Sequence, residues 1–272
     1  ESPNIETYGD TTPPSPSESV FEYPEEGNAS AKKSFGAAFK MQEKRKNDSA
    51  YDTCLQAYSI VKESGSSTEK AFVSLWLGLI ASWTDKSESV ALGWFKKTIH
   101  VFEEYPDQVI LKLDSRDGNI LLECYDKMVW LYWLMEDYEN AETVLRRWFA
   151  LYWGDEDYSD SLTIEHILEQ PDDVKKGDIE FHFDSIWENA AKLYYSKGEY
   201  EIAAKIYDRL AKQESDDSKA DRWRMCTGIA YSRQGDYEKA ELIQRQCLEY
   251  RKRAYRQNSD GDGRLVTQAQ RN

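Results

Sequence analysis

Apolar and polar residues follow a helical pattern along the last third of the chain. Between positions 187 and 249, apolar residues recur at steps of three and four, which places them on one face of an α-helix. The pattern stops at Gly198 and again at Gly235, and glycine readily takes the left-handed conformation needed just past a helix end. An apolar stripe resumes after each glycine. The pattern therefore predicts two units, each made of a helix, a turn and a second helix.

The two units are copies of one sequence pattern. A glycine, a tyrosine and an alanine each recur after 37 positions: Gly198 and Gly235, Tyr200 and Tyr237, Ala203 and Ala240. The small alanine suits a place where two helices approach closely. One helix pair cannot bury its apolar face alone, so we expect the copies to stack on one another.

Earlier parts of the chain carry weaker copies. A third good copy is predicted near 122–153, where Glu136 stands in place of the turn glycine and Tyr138 and Ala141 follow. A degenerate pair is predicted at 71–105, because it has the small alanine but not the turn. Ahead of it, one helix is predicted from Ser34 and another after the cap signal Asn47-Asp48-Ser49.

The repeated residues resemble a known family. The first copy is similar to a tetratricopeptide repeat of about 34 residues at these positions: Trp187, Ala190, Ala191, Tyr194, Gly198, Tyr200, Ala203 and Tyr207. The segment from Gly154 to Leu162 resembles the linker of kinesin-light-chain-type repeats. The resemblance implies an all-α fold, a right-handed α-α superhelix of antiparallel helix pairs.

The chain divides into segments of different composition. We predict a disordered, proline-rich acidic tail at 1–33, a repeat domain at 34–256, and a tail or capping helix at 257–272. Within the repeat domain, good repeats are predicted near 122–153, 184–214 and 221–250, with an acidic insert at 154–183. We expect a break in helix at Ser259-Asp260-Gly261-Asp262-Gly263. In the N-terminal tail, Thr12-Pro13 and Ser15-Pro16 resemble proline-directed phosphorylation sites. Residues 20–23 are predicted to belong to a linker; the alternative is that they form a short docking segment.

The composition of the chain argues against some classes of function. The net charge is −15, which argues against a general binder of nucleic-acid phosphates because such a binder needs a basic footprint. The mean hydropathy of −0.77 predicts no membrane association. The 9 tryptophans and 18 tyrosines indicate a packed core.

Four cysteines without metal spacing favour reduced, buried thiols in a cytoplasmic protein. Two Asn-x-Ser sequons, at Asn28 and Asn47, would instead suit a secreted protein. The chain starts at Glu1 and not at Met, which is consistent with an excised or processed piece.

A search for catalytic chemistry favours a protein that is not an enzyme and holds no cofactor or metal. The three histidines lack zinc-binding spacing, and no phosphate loop or nucleophile elbow occurs. The alternative is a hydrolase or transferase with His182, Asp184 and a further carboxylate in a closed pocket.

The family resemblance implies a scaffold or adaptor that binds a protein or peptide partner. In that family, the first helix of each unit lines a concave groove. Carried over by position, the predicted groove residues are Asp126, Trp130, Trp133, Asn189, Lys192, Tyr195, Arg222, Met225 and Arg233, with Glu188 and Ile229 beside them. For Trp130, Trp133 and Ile229 the alternative is packing between helices. For Arg222, Arg233 and Lys192 it is an ordinary solvated face. Docking of a chaperone tail is not supported, because Ser196 replaces the asparagine that the clamp needs after Lys192.

A second resemblance leaves another function open. The segment 204–210 is also similar to the second helix of half-repeat proteins that act as scaffolds in RNA processing. The position of tryptophans in the first helices would separate the two families.

Overall fold

The structure is a computed structural model that describes residues 23–24, 27–84, 86–104, 116–153, 163–169 and 180–269. Within these ranges the chain forms eleven α-helices and no strand. The helices are α1 (Ala29–Glu43), α2 (Asn47–Ser64), α3 (Ser67–Ser82), α4 (Glu88–Glu104), α5 (Arg116–Leu134), α6 (Tyr138–Trp153), α7 (Ile164–Glu169), α8 (Glu180–Ser196), α9 (Tyr200–Gln213), α10 (Asp217–Gln234) and α11 (Tyr237–Ala269). The prediction of an all-α fold is confirmed.

The helices form two compact units, one within residues 10–190 and one that contains residues 191–272. In the first unit, α1 packs on α2, α3 on α4 and α5 on α6. In the second unit, α10 packs on both α9 and α11. Helices adjacent in sequence are thus paired in space, as expected for a helical repeat.

One type of turn joins the two helices of a pair at four places. The turn residue has a positive φ in each case: Arg45, Glu136, Gly198 and Gly235. Its N–H donates to the carbonyl three residues earlier, and the next N–H donates to the carbonyl five residues before it, at 2.7–3.2 Å. This is the Schellman arrangement that satisfies the last carbonyls of a helix. The predicted replacement of glycine by Glu136 at this turn is confirmed.

A buried alanine follows each of these turns by five positions. The four residues are Ala50, Ala141, Ala203 and Ala240, and all are at most 4% exposed. The N–H of each alanine donates to the residue directly after the turn residue. The pair of α1 and α2 therefore has the repeat geometry, which the sequence analysis missed because Arg45 and Asn47 stand where the other copies have glycine and tyrosine.

Two predicted boundaries differ from the structure. Helix α1 begins at Ala29, so the boundary predicted at residue 33 lies inside it; Asn28 caps the helix by accepting bonds from two backbone N–H groups. The predicted break at 259–263 is wrong, because α11 continues to Ala269. A glycine in a helix interior costs about 1 kcal/mol relative to alanine, which is too little to end a helix by itself.

Large aromatic residues fill the core of each unit. In the first unit, Trp76, Trp148 and Trp187 are buried, and the ring centroids of Phe149 and Trp187 lie 4.8 Å apart. In the second unit, Tyr207 stacks on Trp223 with centroids 5.9 Å apart. Each buried ring removes a large apolar area from water, which accounts for the aromatic content of the sequence.

Candidate partner-binding surface

The predicted groove residues of the first unit are mostly buried. Asp126 and Trp130 of α5 are 1% and 4% exposed, and Asn189 of α8 is 5% exposed. Trp133, at the end of α5, is half-buried. The burial of Trp130 favours the alternative of packing between helices, whereas Trp133 keeps some accessible surface.

Asp126 is the centre of a buried polar cluster. Its Oδ1 accepts a hydrogen bond from Nδ2 of Asn189 at 2.7 Å, and its Oδ2 accepts one from Ser185 at 2.9 Å. Nζ of Lys127 lies 3.1 Å from Asp126 and 3.0 Å from Glu123. Buried charges need such partners, because an unpaired ion in the interior is costly. The cluster therefore ties α8 to α5, although the predicted acidic insert separates them in sequence.

The two carboxylates keep the Lys127 ammonium charged. Burial by itself would lower the pKa of Lys127, but the charges of Glu123 and Asp126 and their hydrogen bonds raise it above its ordinary value. Asp126, Asn189 and Lys127 thus form a joint inside the first unit, with little surface for a partner.

The predicted residues on α10 are arranged differently. They form an accessible stripe along one face of the helix, which we call the α10 stripe: Arg222, Met225, Ile229 and Arg233. Its two arginines are exposed and its two apolar residues are half-buried. The opposite face packs into the core through Trp223, Thr227 and Ala230, which are buried. The three- and four-residue spacing of the stripe puts all four side chains on one side of the helix.

Local contacts fix the ends of α10 and the arginines of the stripe. Asp216 caps the helix start by accepting bonds from the N–H groups of Ser218 and Lys219, and Gly235 follows the helix end. The guanidinium of Arg222 lies 4.4 Å from the centre of the Trp223 ring, a cation–π arrangement. The start of the stripe thus carries a positive charge held over an aromatic ring, and Arg233 places a second positive charge at its other end.

Two residues of α8 in the second unit belong to the same predicted set. Tyr195 and Lys192 are half-buried. The guanidinium of Arg233 lies near the Tyr195 hydroxyl. Burial raises the pKa of Tyr195, and the nearby Arg233 charge opposes this rise only in part. Tyr195 also packs its ring against Tyr200, with centroids 5.1 Å apart.

One contributor was missed by sequence reasoning. Nε of Arg251, on α11, donates to Oδ2 of the buried Asp221 at 2.8 Å, and its guanidinium also contacts the sulfur of Met225. The sequence does indicate this contact. Asp221 lies before the turn at Gly235, and Arg251 lies nearly the same number of residues after it. Antiparallel helices on either side of that turn bring such positions together.

The sequence also raised the questions of a metal site, a catalytic pocket and a membrane-spanning helix. Among the described residues, no group of three or more histidine, cysteine or acidic side chains is placed to hold a metal ion. The alternative pocket with His182 and Asp184 lies outside the residues whose side chains the structure describes. Nor is any described helix both long enough and apolar enough to cross a membrane.

Comparison with known proteins agrees with the turn and alanine pattern. A family model for the tetratricopeptide repeat matches residues 227–259, which include the Gly235 turn and Ala240. No curated protein sequence matches the chain. The chain therefore contains a segment that matches the tetratricopeptide-repeat family, and its described residues are all-α.

Solved structures define the kind of repeat more closely. Two crystal structures described as a kinesin light chain with nearly identical TPR-like repeats, from Podosopora anserina, match with a TM-score of 0.58 at 12% identity. They cover 84% and 83% of this chain, and 97% and 96% of their own. The crystal structure of BtubC (BKLC) from P. vanneervenii matches with a TM-score of 0.57 at 14% identity, over 84% of this chain and 90% of its own. The chain has the fold of kinesin-light-chain-like tetratricopeptide repeats.

Proposed function

We propose that this chain is a scaffold or adaptor that binds a peptide or helix of a partner protein along the α10 stripe. The proposal rests on a continuous row of accessible side chains on α10, whose other face packs into the core. The row consists of Arg222, Met225, Ile229 and Arg233. The fold supports a protein-interaction role, and a scaffold without catalytic activity is the function we infer. The four cysteines are free thiols and all are buried, which supports a cytoplasmic location.

The chemistry of the stripe favours a partner that combines acidic and apolar residues. Arginine at each end offers planar donors that match carboxylates. Met225 and Ile229 between them offer apolar surface, and methionine adapts its shape to different side chains. A peptide with one apolar anchor between acidic residues would satisfy both requirements. We propose that Lys192 and Tyr195 extend this surface, and that Trp133 forms a separate contact on the first unit.

Charge reversal tests the proposal. In the full chain, we expect R222E together with R233E to weaken binding of acidic-apolar peptides on an array by at least about tenfold, because carboxylates would then face carboxylates. R245E on α11 is the control for a charge reversal outside the stripe, since Arg245 is exposed and pairs with Glu241 on its own helix at 2.6 Å.

The result has a clear alternative. If R245E weakens binding as much as the double reversal, the interaction reflects overall charge and not the α10 stripe. Equal binding by all three chains would place the partner elsewhere. Circular dichroism of each variant confirms that the helices are retained.

A further inference from the structure

A short segment before α1 is tied to the body of the first unit through one tyrosine. Tyr23 is 7% exposed, although it precedes the first helix. Its ring lies 5.6 Å from the rings of both Phe35 of α1 and Phe72 of α3. Its hydroxyl donates a hydrogen bond to Oε1 of Glu69 at 2.8 Å. We call Tyr23 and residues 27–28 the N-terminal strap.

Glu69 holds the strap and the start of α3 together. Oε1 also accepts a bond from the backbone N–H of Asn28 at 2.6 Å, and Oε2 accepts one from the N–H of Ser66 at 2.9 Å. The Ser66 hydroxyl in turn accepts from the N–H of Glu69, which completes a capping box. Since Asn28 caps α1, the same carboxylate fixes the beginnings of two helices.

The strap leaves no room for a larger group. A Cβ at Gly27 would overlap the Tyr23 ring and lie 2.7 Å from Oε1 of Glu69.

The contact between Tyr23 and Glu69 depends on the tyrosine proton. An ionised carboxylate is only an acceptor, so the tyrosine must supply the proton. The described side chains that interact with Tyr23 are two aromatic rings, this carboxylate and the thiol of Cys54, with no cation among them.

We propose that Tyr23 is a phosphorylation site and that its modification releases the N-terminal strap. A phosphotyrosine carries a charge of about −1.5 to −2 and has lost the donated proton. It would face the Glu69 carboxylate in a buried pocket, where like charges repel strongly. Acidic residues flank Tyr23 in the sequence at positions 18, 22, 25 and 26, which suits a kinase with a basic substrate cleft.

The reaction balances with a nucleoside triphosphate as phosphoryl donor. The Tyr23 oxygen forms a bond to the γ-phosphorus as the bond from that phosphorus to the bridging β–γ oxygen breaks. The phenol proton passes to the kinase base and the nucleoside diphosphate leaves. Because Tyr23 is buried, the strap must open before the kinase can reach it, and the phosphate then keeps it open.

Release would uncover the aromatic pocket and loosen α1. Phe35 and Phe72 would lose the ring that packs on both of them. The bond from Asn28 to Glu69 would be broken, so the N-terminal end of α1 would open more often. The strap is therefore a device that couples a covalent modification to access to the first helix pair.

Hydrogen exchange on the full chain tests the release. Phosphotyrosine is incorporated at position 23 during translation, and amide exchange is followed by mass spectrometry. We expect exchange across 29–43 to rise by about tenfold or more, as for the loss of hydrogen bonds to a charged group. Y23F keeps the ring and should give a smaller rise. Residues 200–234 serve as the internal control. Unchanged protection of 29–43 in the phosphorylated chain would overturn the proposal.

A second measurement tests access to the site. A broad-specificity tyrosine kinase with ATP is applied to the unmodified full chain and to E69Q, and Tyr23 phosphate is counted by mass spectrometry. E69Q weakens the strap without removing a core ring, so phosphorylation of Tyr23 should be several-fold faster. An equal or slower rate, or no phosphate at Tyr23 in either chain, would contradict the proposal.

Discussion

The turn residues carry a backbone strain that depends on their side chains. Glu136 and Arg45 have φ angles of 58° and 55°, whereas Gly198 and Gly235 have φ angles of 81° and 91° in the same hydrogen-bonded turn. A left-handed backbone costs a residue with a Cβ about 1–2 kcal/mol relative to the right-handed form. The same turn is therefore strained in two copies and relaxed in the other two.

We expect E136G to raise the free energy of unfolding by about 0.5–1 kcal/mol, because glycine takes this conformation without a steric cost. Urea denaturation followed by circular dichroism measures the change. The reverse change, G198A, should lower stability by a similar amount. A destabilised E136G would mean that the Glu136 side chain makes contacts that outweigh the strain.

Glu69 is expected to make the stability of the first unit depend on pH. Burial by itself would raise the pKa of Glu69, but the bonds from Ser66, Asn28 and Tyr23 hold it below its ordinary value. A lowered folded pKa stabilises the protein above the unfolded pKa, and this contribution is lost as the pH falls through the folded value. Thermal melts between pH 7 and pH 3 should show a steeper loss for the native chain than for E69Q.

At the level of elements, the joint between α5 and α8 is made by buried polar groups. Asp126 accepts bonds from Asn189 and Ser185 of α8 and lies beside Lys127 of its own helix. Packing of Phe149 of α6 against Trp187 supports the same joint. A polar pair inside an apolar interface defines the register of the two helices, because any shift would leave buried groups unpaired.

We expect D126A to lower the free energy of unfolding by about 3 kcal/mol or more, as for loss of one partner from a buried charged network. N189A should cost about 1–3 kcal/mol, because it leaves a buried carboxylate oxygen without its donor. The double variant should lose less than the sum of the two. E241A, which removes an exposed pair with Arg245, should change stability by no more than about 1 kcal/mol. Strict additivity of D126A and N189A would contradict the joint.

The elements that the sequence predicts well are those with a local signal. Tyr138, Tyr200 and Tyr237 begin the second helices of their pairs, as the spacing from the turn indicates. The repeat formed by α1 and α2 was not predicted, because Ala50 is the one residue of the glycine, tyrosine and alanine pattern that is present there. Burial of Asp126 and Asn189 could not be predicted, since it depends on contacts between residues 63 positions apart. The α10 stripe follows from spacing within one helix, which a sequence does reveal.

At the level of the whole molecule, the charge pattern matters for association. The chain has a net charge of −15, yet the α10 stripe presents arginine at both ends. An acidic partner is repelled by the net charge of the chain and attracted by the two arginines of the stripe. Such a contrast favours specificity over raw affinity.

We therefore expect ionic strength to affect partner binding in two ways. Screening reduces the attraction of the stripe and the general repulsion, but the closer contact is screened less. Affinity should therefore rise as salt increases from 50 to 300 mM, more steeply for R222E with R233E, which has only repulsion to lose, than for the native chain, where the weakened attraction offsets part of the gain. Isothermal titration at three salt concentrations separates these cases. An identical salt response in both chains would show that the arginines do not meet the partner.

The central claim is that the α10 stripe is the surface that meets the partner. A photoreactive residue is placed at the half-buried Met225 in one full chain and at the exposed Leu242 of α11 in another. After irradiation with an acidic-apolar peptide selected on the array, mass spectrometry locates the cross-links. We expect cross-links from position 225 and few from position 242. Cross-links of equal yield at both positions, or at 242 alone, would contradict the claim.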